Sequence, residues 1–152
     1  MQRRQFLKTT LATAATAHVL SADGGRQSPE KPDAPSRLSC DTFVYGSTPG
    51  GIAAAVEAAR RGDRVVLACP KRNPGGMAAS GLSTTDAVRR HLFGGFVIEF
   101  ISKVCEHYRS VLGDDPEQLK LTRDGWFYEP SVAELVFRRI LAAEEDQLHW
   151  LP

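Results

Sequence analysis

The residues with the clearest chemical use lie in Gly46-Ser47-Thr48-Pro49-Gly50-Gly51. Before them, Asp41-Thr42-Phe43-Val44-Tyr45 has the β-branched and aromatic character of a short strand. After them, Ile52, Ala55, Val56 and Ala59 recur at i, i+3, i+4 and i+7, the spacing of one buried helix face. A glycine-rich turn between a strand and a helix is suited to holding a phosphate. Gly46 lets the chain leave the strand tightly, and Gly51 lets the helix lie close to it. The helix start then offers free N–H groups and the positive end of its dipole to a pyrophosphate.

Two features depart from the usual dinucleotide turn. Thr48 stands where the middle glycine of GxGxxG belongs, with Gly50 displaced by two. At the end of the next strand, Arg64–Ala68, the expected carboxylate is Cys69, a weak acceptor for a ribose diol. Lys71 and Arg72 follow, and basic residues there can hold the 2′-phosphate of NADP. Three readings stay open on spacing alone: a dinucleotide-binding turn, an NADP-binding Rossmann enzyme in particular, and a turn that binds nothing.

The surrounding elements are legible from pattern. Gly62 ends the first helix as a left-handed cap. Strand, turn, helix and strand within residues 41–68 form a βαβ unit, which requires a parallel sheet. From Phe93 to Leu112, the residues Val97, Phe100, Ile101, Val104, Tyr108 and Val111 make one apolar stripe, with Glu99 and Lys103 placed to pair at i, i+4. Residues 117–127 read as irregular or a hairpin, and Trp126-Phe127-Tyr128 as core packing. Ser131 with Glu134 has the spacing of a capping box, Glu134 can also pair with Arg138, and Val132, Leu135, Val136 and Ile140 form the buried face. Glu144-Glu145-Asp146 reads as a solvated helix end. Leu148–Leu151 reads as a third parallel strand. The expected fold class is α/β: a Rossmann-like dinucleotide-binding domain with a parallel sheet.

With Tyr45–Gly51, the segment Pro70-Lys71-Arg72-Asn73-Pro74-Gly75-Gly76-Met77-Ala78-Ala79-Ser80-Gly81-Leu82-Ser83-Thr84-Thr85-Asp86 resembles the FAD-dependent oxidoreductases of the FAD_oxidored type. The resemblance continues through Gly94–Phe100 and Tyr128–Glu134, so it covers residues 41–152. It implies a FAD/NAD(P)-binding domain, truncated relative to the family's full one, with FAD as cofactor and a small-molecule substrate. It makes Thr48 a family feature, and implies that Gly75-Gly76-Met77 wraps the flavin. Gly75 and Gly76 suit that role, because backbone without side chains can approach a ring or phosphate and donate N–H groups. Cys69 departs from the family's usual Glu, so Asn73 or main-chain groups would replace its ribose contacts. The implied cofactor-binding residues are Gly46, Ser47, Thr48, Pro49, Gly50, Gly51, Asn73, Gly75, Gly76 and Met77. No catalytic constellation is visible; Asp86 reads equally as functional or as a helix cap.

Composition limits the rest. The 152 residues carry 19 Lys+Arg and 18 Asp+Glu, with 42% hydrophobic residues, enough for a core. Residues 1–40 hold six of the basic and three of the acidic residues, leaving a body with 13 and 15. Such a body lacks the basic face of a nucleic-acid binder. No apolar run reaches the roughly 20 residues of a membrane span. Cys40, Cys69 and Cys105 are scattered, and the four histidines show no ligand spacing, which gives no support to a metal or iron–sulfur site. At the amino terminus, Arg3-Arg4 with Phe6-Leu7-Lys8 precedes a mild apolar stretch and small residues. This resembles a twin-arginine export signal over residues 1–22 and implies an exported, extracytoplasmic protein. Residues 23–40, rich in Pro, Gly, Ser and charge, read as a linker, and 41–152 as the amino-terminal part of a FAD-binding domain. A secreted, non-catalytic remnant is the remaining alternative.

Overall fold

A computed structural model describes residues 37–113 and 116–152. The export signal and most of the linker expected before them lie outside the described residues. The folded unit starts with β1 (Thr42–Tyr45), followed by α1 (Pro49–Arg60) and β2 (Val65–Ala68). The loop after β2 contains a single-turn 3-10 helix, Gly76–Ala79, and another occupies Arg90–Leu92. Then come α2 (Gly95–Leu112), α3 (Pro116–Leu121), α4 (Pro130–Ala142) and β3 (Leu148–Leu151).

The three strands form one parallel sheet in the order β1-β2-β3. Thr42 pairs with Val65 and Val44 with Leu67, and across β2 the same residues meet Leu148 and Trp150. These residues share one face, and that face joins a single apolar core with Ile52, Ala55, Val56 and Ala59 of α1. The core continues through Phe100, Ile101 and Val104 of α2 and Val136, Phe137 and Ile140 of α4. The chain is thus α/β with the expected Rossmann-like strand–helix–strand start. The opposite sheet face carries Phe43 and Tyr45, which are 61% and 73% exposed. Val66 on that side is buried all the same, flanked by a strand on each side.

Several local expectations change. α4 begins with Pro130 in its first turn and Glu129 as cap residue with no side-chain cap bond, so Ser131 and Glu134 form no capping box. A proline needs no N–H partner at that position and already has helical φ, which sets the cap two residues earlier. Glu134 instead bonds Arg138 through Nε at 2.9 Å, as its i, i+4 spacing allows. Glu99 turns from Lys103 to Arg60, whose guanidinium grips both its carboxylate oxygens at 2.7 and 2.9 Å. A planar fork matches a carboxylate better than a point ammonium does. Glu144, expected to be solvated, takes the same guanidinium at Nε at 2.7 Å. Arg60 therefore ties α1, α2 and the end of α4 together. Val111 leaves the apolar stripe and is 64% exposed, one turn past the last core residue, Tyr108. Residues 117–127 contain α3 rather than a hairpin, and Phe127 makes one antiparallel bridge to Thr84. Trp126 and Tyr128 are core residues, with Phe127 at the surface.

Candidate functional site

The Gly46–Gly51 turn sits at the carboxyl end of β1. Gly46 has φ +105, a conformation that side chains disfavour, and its N–H reaches the Ala68 carbonyl at 2.8 Å. That bond extends the β1–β2 ladder one step beyond the strand before the chain turns away. Thr48 is the N-cap of α1: its hydroxyl oxygen accepts the Gly51 N–H at 3.2 Å, and its carbonyl accepts the Ile52 N–H at 2.8 Å. This gives Thr48 a positive reason to replace a glycine, since a hydroxyl at the cap satisfies a donor that the helix leaves unpaired. Pro49 has no N–H to satisfy, so of the first helical residues Gly50 alone makes no N–H bond among the described residues. A Cβ at Gly51 would collide with the Gly46 carbonyl, whereas one at Gly50 would meet nothing within 4 Å.

The second glycine segment comes to the same place. The Gly75 N–H donates to the Ser47 carbonyl at 2.7 Å, joining the loop after β2 to the turn after β1. Gly75 has φ +106, and a Cβ there would lie 2.5 Å from the Phe137 ring. Gly76, at φ +51, lies over the cap: a Cβ on it would be 3.5 Å from both Pro49 Cδ and Thr48 Cα. Ala78 is buried, while Met77 is 76% exposed and its carbonyl accepts the Ser80 and Leu82 N–H groups at 3.1 Å. The ten expected binding residues therefore divide. Gly46 to Gly51, Gly75 and Gly76 are brought together, with Met77 on the open side of the same 3-10 turn. Asn73 is exposed in the loop, and its side chain makes no hydrogen bond within the described residues.

Cys69, in the position of the missing acid, continues the sheet through its N–H to the Leu151 carbonyl at 2.9 Å. Hydrogen bonds from the Ser47 side chain and main chain hold its thiol below the ordinary range; burial opposes them, and Lys71 adds a smaller pull in the same direction. Buried Ser47 thus links both loops, through its carbonyl to Gly75 and through its donors to Cys69. The loop after β2 is also pinned from behind. Arg138 donates to the Arg72 carbonyl at 2.8 Å and stacks 5.1 Å over Trp150. Sequence reasoning assigned neither Ser47–Cys69 nor Arg138–Arg72. The adjacency of β1 and β2 signals the first contact, since their carboxyl ends must lie side by side; the second depends on the packing of α4.

The arrangement suits a dinucleotide. Its glycines leave room where side chains would collide, and its helix start keeps one N–H available beside an exposed face. No group of His, Cys, Asp and Glu able to hold a metal exists among the described residues. No helix among them is long and apolar enough to cross a membrane. A comparison with curated proteins found no match. A family model described as FAD dependent oxidoreductase matches residues 41–152. With that match covering the whole βαβ unit, both glycine segments and all three strands, the chain belongs to the FAD-dependent oxidoreductase family.

Proposed function

We infer that residues 41–152 hold FAD at the carboxyl end of β1 and β2 and serve an oxidoreductase. The observation that carries this is the joining of the two glycine segments by the Gly75-to-Ser47 bond, with Gly76 lying over Thr48 and Pro49. A pyrophosphate at the start of α1 takes the Gly50 N–H and the helix dipole. Gly76 and Met77 add main-chain donors from the other side. The Cys69 thiol and the exposed Asn73 amide are the side chains nearest in sequence to where a ribose diol is held in this type of unit. When bound, the flavin supplies the acceptor for a hydride or electron pair, which no side chain here can supply. The chain's own residues orient it and set the polarity around it.

The proposal extends to location. Residues 1–22 act as a twin-arginine export signal, residues 23–40 as a linker, and the folded unit works outside the cytoplasm. Two experiments test these points. Denaturing the purified protein releases its nucleotide for mass spectrometry. FAD supports the reading, whereas a nicotinamide dinucleotide held by Lys71 and Arg72 overturns it. For export, the double substitution Arg3→Lys with Arg4→Lys is expected to trap the precursor in the cytoplasm, and undiminished export would refute the signal.

A further inference from the structure

A cavity of about 300 Å³ opens between the Gly76–Ala79 turn, α2 and α4. It falls at the small end of sites that take drug-sized molecules. It has an aromatic lining: Phe100 stacks on Phe137 at 4.5 Å, and Phe96 stacks on Phe137 at 6.5 Å. Val97 adds an aliphatic wall. Two polar features interrupt this lining. Tyr128 Oη and Thr85 Oγ1 are 3.1 Å apart, so one hydroxyl donates to the other and both oxygens keep lone-pair capacity. At the mouth stands Asp86, exposed and in none of the ion pairs or hydrogen bonds of the described residues. Its neighbour Arg90 is turned away, over the Trp126 ring at 4.9 Å and toward the Arg123 carbonyl. Asp86 caps no helix either, since the 3-10 turn at Arg90 starts from Arg89 without a side-chain cap.

We propose that this cavity binds a small amine, with its apolar body among Phe96, Phe100 and Phe137 and its ammonium at Asp86. A carboxylate with no ion-pair partner at the mouth of an apolar cavity attracts a cation by ion pairing. The ammonium's other N–H groups find acceptors in the Thr85–Tyr128 hydroxyl pair. A neutral ligand would fill the same apolar space and leave the carboxylate unused, and an anion would be repelled by it. The cavity borders the proposed flavin site, because Pro49 lines it as well. Naming the amine as a substrate rests on the flavin reading; the binding itself does not.

The test uses the full chain and ligand-observed NMR, with benzylamine as the probe and benzyl alcohol as its neutral counterpart. Benzylamine is expected to bind about three- to fivefold more tightly at low salt, with the preference shrinking as ionic strength rises. Asp86→Asn, at an exposed position, removes the preference and leaves benzyl alcohol binding within about twofold. Val97→Phe fills the cavity and weakens both. Equal binding of the two probes, a preference that survives Asp86→Asn, or no binding of either would overturn the proposal. Flavin content is measured on the same samples. Its absence alongside an Asp86-dependent preference for benzylamine defeats the flavin reading and supports the amine site.

Discussion

Three glycines of one turn meet different physical demands, so alanine at each should change stability differently. At Gly46 there is space but φ is +105, and holding alanine there costs about 1–3 kcal/mol in torsion alone. At Gly51 no positive φ is involved, yet the added methyl collides with the Gly46 carbonyl, which is main chain and cannot rotate aside. Relief requires opening the turn, about 1–3 kcal/mol as overpacking, and weakening the Thr48 cap, about 1 kcal/mol more. At Gly50 neither constraint applies, so alanine is expected to stabilise by about 0.4–1 kcal/mol through the unfolded chain. Urea unfolding of the full chain should thus rank Gly50→Ala above the parent, then Gly46→Ala, with Gly51→Ala least stable. Flavin titration should give another order. Gly50→Ala shields the free helix N–H and loses on the order of tenfold in affinity, the worth of one charge-assisted hydrogen bond of about 1.5 kcal/mol. Gly51→Val abolishes binding. A Gly51→Ala protein as stable as the parent, or a Gly50→Ala protein as damaged as Gly51→Ala, would refute this account of the turn.

Ser47→Ala should shift the pH profile of Cys69 alkylation upward, because the hydroxyl bond that favours the thiolate is gone; mass spectrometry resolves this from Cys40 and Cys105, and an unmoved profile counts against the contact. Arg60→Met leaves Glu99 and Glu144 facing each other and should cost about 1–2 kcal/mol, or roughly 4–8 °C in Tm. The acid limb should change too. Arg60 lowers Glu99, and Arg64 holds Asp41 at about 2 against 3.8, so both carboxylates stabilise the fold above about pH 5. That stability is lost as pH falls through their folded values, and Arg60→Met should flatten the Glu99 part of the dependence in urea midpoints. Phe43→Thr with Tyr45→Thr should reduce self-association in light scattering without lowering Tm, since neither ring packs on the core.

The parts of this fold that were legible in the sequence are those set by local chemistry. β-branched runs gave β2 within one residue of its observed bounds, and helical spacing gave the buried face of α1 residue for residue. Leu148–Leu151 was recognisable as a strand because its length and residue types allow little else. The failures share a cause. Glu99 had an acceptable partner one helical turn away, but an arginine distant in sequence offered a better geometry. Likewise Ser131 and Glu134 had the spacing of a cap, and Pro130 took the position before it. In the candidate site, the glycines were readable because each meets a constraint of its own backbone. The Ser47–Cys69 contact was not, since it exists only where two strands are already paired.

The open sheet face has a topological origin. Strands β1, β2 and β3 advance in one direction across the sheet. Parallel crossovers share one hand, so two steps in the same direction lay both connections on the same face. That is why α1, α2 and α4 share one core while Phe43 and Tyr45 face outward. A helix reaches the other face only when the strand order reverses, which in this sheet means pairing at the free edge of β1. In open α/β sheets the point of reversal is where ligands enter, beyond the carboxyl ends of the strands. Gly46 leaves β1 at that carboxyl end, where the start of α1 is exposed. The site residues therefore lie beyond the carboxyl ends of the strands, where open α/β sheets take their ligands, while the exposed face follows from the strand order.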